Sequence, residues 1–508
     1  MAERQINPKE YILLEKVQGG YPLDSVSINL AHVLGPKKRE FQANVGSTIL
    51  IFENGDYDIF IKEKEWFDGG RKILRHILES DENVKNWEER KRKWLDYLSN
   101  VNIEYAEKNY GNLTDKELCN EVKSIIDIET KNGFENSDIA STNYATNFVH
   151  LELEKSLNEL GFEPHKTIQV LLMSTGKFPL IEYESEIGDL ALHCYNNKIY
   201  LVDENTLNYN KEIGDKIKMI LKEYEWLDAS LVNPPKSKEK VMADINDLLS
   251  FKEKLSDILI RREEEKKKNK LEKEKLLKEV LTKASPQQRR AIHFAVISAE
   301  LGRLVVDEIM KFIYLKRSIN TTLAKRLSGL DIRFLSLAEI KDGLENKNKI
   351  DLIIISERKE LCVWVLKDKV EIYTENKAIE LRDALKANLE NDKSPLKGEI
   401  AFSKGIVKGI AKLLRNASEM SKVEKGDILV SSRTYPDLLP AMKRSAAIIS
   451  ELGGLLSHAA IVSREMQIPC LVGVRNATTR IKDGDMLEID TEKGTIKIIE
   501  KAAISKGG

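Results

Sequence analysis

Near its C-terminus the chain reads Ala446-Ala447-Ile448-Ile449-Ser450, then Glu451-Leu452-Gly453-Gly454-Leu455-Leu456-Ser457-His458-Ala459-Ala460-Ile461-Val462-Ser463-Arg464-Glu465. No other stretch constrains the fold so tightly. The opening residues read as a short apolar strand, the paired glycines punctuate a tight turn, and residues 457–466 carry helical spacing. This order places His458 in the first turn of a helix. Backbone N–H groups there lack intrahelical acceptors, and the positive end of the helix dipole favours a bound anion. The same positive end disfavours imidazolium, which keeps the ring neutral and nucleophilic. A neutral histidine beside an anion-binding turn is suited to accepting a phosphoryl group. Taken alone, His458 reads better as a capped core histidine; its surroundings reverse that reading.

Those surroundings include, in order, Gly426-Asp427-Ile428-Leu429-Val430, Thr434-Tyr435-Pro436-Asp437, the Gly-Gly-x-x-Ser-His turn, Ile468-Pro469 and Asp483-Gly484-Asp485. On these residues, the stretch from about Leu396 to Ile499 closely resembles the swivelling phosphohistidine domain of phosphoenolpyruvate-utilising enzymes. Relatives include phosphoenolpyruvate synthase, pyruvate phosphate dikinase, enzyme I of the sugar phosphotransferase system and rifampin phosphotransferase. The resemblance implies an α/β domain in which His458 is phosphorylated and Thr434 supports it. Gly453, Gly454 and Ser457 form the turn. Arg464 matches an arginine expected to steady phosphate, with an exposed helix salt bridge as the competing reading.

Two departures matter. Leu455-Leu456 stands where relatives carry Arg-Thr or Met-Thr. The missing threonine is the one phosphorylated in plant-type dikinases, so that regulation is expected to be absent, and the missing arginine alters the phosphate contacts. Ser403-Lys404-Gly405 replaces the usual Ser-Pro-Gly, a loop variation.

At 508 residues the chain has room for two to four domains with full cores. Charged residues reach 32% yet nearly cancel, to a formal net charge of −1, which argues against general nucleic-acid or membrane-surface binding. The polar opening Met1-Ala2-Glu3-Arg4-Gln5 begins no signal region, and no apolar run has spanning length. Cys119, Cys194, Cys362 and Cys470 are scattered without ligand spacing, which fits a reducing cytoplasm and no metal site.

The spacing implies a multidomain α+β chain: a mostly helical N-terminal and middle region, then the C-terminal α/β domain. Residues 1–66 are expected to form a small region with a β-hairpin, in which Ser47 to Phe52 and Tyr57 to Ile61 flank Asn54-Gly55-Asp56. Residues 67–390 are expected to form a helical middle domain with a β-rich end at 350–375. Helices are expected over 67–135, 143–160, 165–174, 212–224 and 237–283, then Gln287 to Leu315. Trp87, Trp94, Tyr97 and Leu98 give a core stripe. Within 261–279, RREEEKKKNKLEKEKLLKE, signs alternate above a sparse apolar face, as in a solvated long helix or coiled arm. Strands are expected at 351–356, 361–366 and 369–373. The Ile332-x-Phe334-Leu335-x-x-x-Glu339-Ile340 stretch, after long helices, is similar to the end of the middle domain of rifampin phosphotransferase, which contacts acceptor or docks the moving domain. Asn391-Asp392-Lys393-Ser394-Pro395 has a linker's composition; 391–399 is the expected hinge and 400–508 the phosphohistidine domain.

A complete enzyme of this family also needs an ATP-grasp domain, and often a phosphoenolpyruvate-binding barrel. Ser174-Thr175-Gly176-Lys177 lacks both the earlier glycine and the following Ser/Thr of a phosphate loop. No Gly-rich strand–turn opening stands in its place, and nine residues follow Ile499. The chain therefore resembles the histidine-bearing subunit of phenylphosphate synthase, which implies a separate ATP-grasp partner holding ATP and Mg²⁺. The acceptor is a small molecule or a protein. A phosphocarrier relaying to another protein is the runner-up, and a non-catalytic module the third. His32, His76, His150, His165, His193 and His293 stand isolated, with His293 the one placed to face an acceptor pocket. Glu300 and Arg303 read as a surface pair.

Overall fold

The computed structural model describes residues 6–18, 47–54, 56–139, 142, 148–172, 178–228, 235–250, 255–346, 350, 352–367, 370–390, 393–415, 417–434, 438–454 and 457–502. Outside them lie His32, the Ser174-to-Lys177 stretch, Tyr435-Pro436-Asp437, Leu455-Leu456 and the hinge residues Asn391-Asp392; the side chains of His165 and His458 are likewise not described. The chain divides into two compact units, one comprising Met1–His76, Leu113–Phe148 and Leu323–Gly508, the other Ile77–Asn112 and Val149–Thr322. Among the described residues no helix is long and apolar enough to cross a membrane.

The first unit holds two sheets. One is antiparallel, in the order β1-β3-β2-β4-β5, built from Tyr11–Gln18, Thr48–Glu53, Asp56–Lys62, Leu361–Leu366 and Val370–Tyr373. Alternate residues face opposite ways along a strand. Ile49, Ile51, Val363 and Val365 thus meet Ala378, Leu381, Leu385 and Leu389 of the helix Glu375–Glu390. Leu50, Phe52, Cys362, Trp364 and Leu366 form a core on the other face.

This sheet crosses the boundary expected at residue 66, because β2 pairs with β4 from Thr48↔Leu366 to Glu53↔Leu361. The expected strand at 351–356 is instead the helix Leu352–Glu360. Its Leu-Ile-Ile-Ile run reads as a strand, but only Ile355 among the four is buried. Arg358 anchors the helix, donating to the Phe334 carbonyl and, in two-pronged fashion, to Glu339. Glu339 also closes a capping box with Ser336, so the Ile-x-Phe-Leu-x-x-x-Glu-Ile stretch is structural here.

The second unit is helical. The helical stretch expected over 67–135 is three helices: Glu63–Leu78 and Asp115–Ile139, mostly or wholly in the first unit, and Asp81–Ala106 in the second, starting at a Ser80 cap. Asp81–Ala106 packs along Pro286–Leu315 through Trp87 on Phe294 and Tyr105 on Phe312, with Trp94 and Leu98 buried as expected. A second core joins Pro179–Asn196, a helix not foreseen, to Lys211–Tyr224 and Lys238–Leu249. The expected single helix 237–283 is two, since the first ends at a Ser250 cap and the next runs Leu255–Lys283. His293 is exposed, 3.8 Å from Glu88, and Arg303 pairs with Asp307 rather than Glu300.

The C-terminal sheet of the first unit has seven strands in the order β12-β11-β7-β8-β9-β10-β6. They are β6 Glu399–Phe402, β7 Ile406–Leu414, β8 Ile428–Ser431, β9 Ala447–Ser450, β10 Cys470–Val472, β11 Met486–Asp490 and β12 Thr495–Glu500. β7 through β10 are parallel, and their central members are buried on both faces. Leu429, Ile448, Cys470 and Val472 meet Ala459, Ala460 and Val462 of the helix His458–Glu465. Ile428, Val430, Ile449 and Leu471 turn the other way, onto Ala477, Ile481, Leu487 and Ile489.

Part of the expected 391–399 hinge is built into this domain. Leu396 is buried in its core, Lys397 bridges to Thr495 and the Gly398 N–H donates to the Gly494 carbonyl. A side chain on Gly398 would come within 2.8 Å of the Val472 carbonyl, so 396–399 is an edge of the sheet and not a free linker.

Candidate functional site

Three strand ends meet at the carboxyl edge of the parallel strands, the usual place for a ligand in such sheets. The Glu451 N–H donates to the Ser431 carbonyl and the Leu452 N–H to the Ser432 carbonyl, both at 2.9 Å. The Val474 N–H donates to the Ser450 carbonyl at 3.1 Å. These bonds lace the ends of β8, β9 and β10 together. They set the loop that leads to Thr434, itself buried, alongside the chain entering the glycine turn.

Gly453 has φ +89°, and a Cβ there would stand 2.6 Å from the Ser457 Cβ. Both facts require glycine. The Ser457 N–H donates back to the Gly454 carbonyl at 2.9 Å, closing the turn. Ser457 then caps the helix, its hydroxyl accepting from the Ala460 N–H at 3.4 Å. His458 is thereby the first helical residue, as the spacing implies. Its backbone and that of Ala459 open the first turn, where N–H groups have no carbonyl four residues back. Gly473, at φ +68°, lies across from the turn; a Cβ there would be 3.4 Å from the Gly453 carbonyl oxygen.

The site thus unites Gly453, Gly454, Ser457 and the backbone of His458, with the loop of Thr434 beside them. Arg464 is not among them. It lies about 9 Å of helical rise beyond His458, on the last turn. Its Nε donates to the Ala401 carbonyl on β6 at 3.1 Å, and its Nη2 is buried. Burial pulls the guanidinium below its usual pKa. Neither the phosphate contact nor the exposed salt bridge expected of Arg464 matches this position: it fastens the helix end to an edge strand, where a cation also complements the dipole.

Other motif residues are structural too. Asp427 accepts from the Glu424 N–H, Asp483 from Leu413 and Asp485 from both Lys482 and Ala502, each at 2.8 Å. The Lys404 N–H donates to Thr491 Oγ1 at 3.0 Å, a bond that a proline there could not make, so the Ser-Lys-Gly variation has a matching acceptor. Sequence reasoning missed Glu451, which accepts from both the backbone N–H and the hydroxyl of Thr478 and so holds the neighbouring helix Ala477–Arg480. The pair is far apart in the chain, and no local signal points to it.

A mixed sheet with a parallel centre covered on both faces, and a glycine turn opening a helix at its carboxyl edge, defines an α/β domain. Residues 423–494 match the family "PEP-utilising enzyme, mobile domain". Over 101 residues the chain is 50% identical to a probable phosphoenolpyruvate synthase of Archaeoglobus fulgidus, covering 20% of this chain and 13% of that protein. It is 48% identical over 112 residues to the phosphoenolpyruvate synthase of Pyrococcus furiosus, covering 22% and 14%. An uncharacterized phosphotransferase of Bacillus subtilis is 42% identical over 103 residues, covering 20% and 12%. Over residues 423–494 the C-terminal domain is similar to the mobile domain of PEP-utilising enzymes. The chain spans only these small fractions of its relatives' lengths.

Proposed function

We propose that this chain is a phosphotransferase component, working in the cytoplasm, that carries a phosphoryl group on His458. The reading is supported above all by the position of His458 at the first residue of a capped helix, behind an obligatory glycine turn, within a segment matching the mobile domain. A ring nitrogen attacks phosphorus, a P–N bond forms, and the donor's P–O bond breaks with its electrons leaving on the donor oxygen. An acceptor oxygen then attacks phosphorus and the P–N electrons return to the ring. Covalent relay divides one difficult transfer into two easier ones. First-turn N–H groups and the helix dipole stabilise charge on the phosphoryl oxygens. Thr434 supports the phosphorylated ring.

The donor site belongs to an ATP-grasp partner on a separate chain, which holds ATP and Mg²⁺; phosphates usually hold that ion. The phenylphosphate synthase arrangement supplies the analogy. The acceptor is a small molecule.

The test incubates the full chain with a candidate ATP-grasp partner and labelled ATP, or with labelled phosphoenolpyruvate. Acid-labile, base-stable label that disappears in His458→Ala is the expected result. Label retained by that variant, or no label with either donor, overturns the reading. Chase of label into a protein rather than a small molecule would favour the phosphocarrier alternative.

A further inference from the structure

The charged helix Leu255–Lys283 buries one side and exposes the other. Leu255 and Val280 are buried, and the helix packs against Pro164–Leu171 and Pro179–Asn196 of its own unit. On the opposite side, Ile260 is 56% and Leu271 is 67% exposed, and Glu264 and Lys267 between them are exposed as well. At 3.6 residues per turn, these four side chains fall within an arc of about 60°. Two large aliphatic side chains therefore stand in water at the ends of a stripe whose middle carries one acid and one base.

The stripe is its own complement when reversed. Turned end for end about a point between Glu265 and Lys266, Ile260 lies over Leu271 and Glu264 over Lys267. Flank residues of an antiparallel pair meet on the same side of the stripe, so at one edge Glu263 faces Lys270. Arranged in parallel, the same helix would set acid against acid and base against base. Glu263, Glu264, Lys267 and Lys270 are thus patterned for one orientation and one partner.

We propose that two copies of this chain associate antiparallel through the exposed stripe of Leu255–Lys283. Each copy covers the other's Ile260 and Leu271, and two Glu264–Lys267 pairs cross between them. At the other edge Arg261 and Lys268 meet as like charges, and the stripe is short. The dimer is accordingly weak, with a dissociation constant of roughly micromolar order, as for small transient interfaces. Association weakens as salt is raised. The proposal is independent of the chemistry assigned to His458.

Sedimentation of the full chain across a concentration series tests it. The wild type is expected to shift from monomer to dimer. Reversing one side of these pairs (Glu263→Lys with Glu264→Lys, or Lys267→Glu with Lys270→Glu) is expected to weaken self-association about tenfold or more. Mixing the two reversed proteins is expected to restore dimerisation. Circular dichroism checks that both retain their helix content. Single-cysteine variants Ile260→Cys and Leu271→Cys then fix the direction. Mixed and oxidised they are expected to crosslink to each other, and neither to itself, since like positions sit about 16 Å apart along the antiparallel axis. The four native cysteines are buried and supply little background. A wild type that stays monomeric, a dimer indifferent to these reversals, or a single-cysteine variant that crosslinks with itself overturns the proposal.

Discussion

Substituting Gly453 with alanine should damage the turn before it damages the domain. The residue sits at φ +89°, and left-handed backbone costs an L-residue about 1–2 kcal/mol. The new Cβ would also stand 2.6 Å from the Ser457 Cβ, closer than such atoms approach, so Ser457 must move. Moving it costs the cap on Ala460, worth about 1 kcal/mol. The loss, about 2–3 kcal/mol, falls on one turn that can relax by unwinding the start of His458–Glu465. Gly426 is the control: its φ is +100°, but nothing lies within 4 Å of where a Cβ would be. Gly426→Ala should therefore cost only the backbone term and leave the helix start intact. Hydrogen exchange read by mass spectrometry over residues 453–466 measures local opening directly. Gly453→Ala should raise exchange there by roughly 30-fold or more, the equivalent of about 2 kcal/mol, and slow any phosphorylation of His458. Equal exchange in the two variants would refute the close-approach argument.

Three further outcomes follow from the same geometry. Arg464→Met should lower the stability of the C-terminal domain by about 1–3 kcal/mol through the lost Ala401 bond, while leaving the rate of phosphorylation nearly unchanged; thermal unfolding and a labelling time course separate the two. Burial pushes the Cys470 thiol up to about 12 and Cys362 up to about 11. Thiols raised in the folded state favour folding below the unfolded value and lose that contribution as pH climbs toward the folded one. Stability should therefore fall above pH 9.0, by up to about 1.4 kcal/mol per pH unit for each group, and the slope measured by urea unfolding should flatten in Cys470→Ala. Finally, Arg475 and Glu63 form an exposed pair at 2.8 Å. A double-mutant cycle on the two should give less than about 1 kcal/mol of coupling.

Much of the C-terminal domain was legible because its constraints are local. A positive-φ glycine, a serine cap and the histidine after it occupy consecutive positions, and strand–turn–helix order follows from apolar runs broken by glycines. The same locality made the hairpin of β2 and β3 readable. Arg464 was misread because its spacing from His458 is that of a motif, while its partner, the Ala401 carbonyl, belongs to a strand earlier in the chain. The Leu352-to-Ile355 run was misread because an apolar stretch of that length has no period to tell strand from helix.

The order of residues by itself determined that His458 opens a helix behind a glycine turn, because backbone dihedrals and capping bonds are settled within a few residues. Which strands lie side by side was decided only in three dimensions. The pairing of β2 with β4 and the lacing of Ser431, Ser450 and Val474 around the turn depend on hydrogen bonds between distant segments. Such bonds form where burial leaves a carbonyl or an N–H no water to bind, and no neighbour in the sequence announces where that will be.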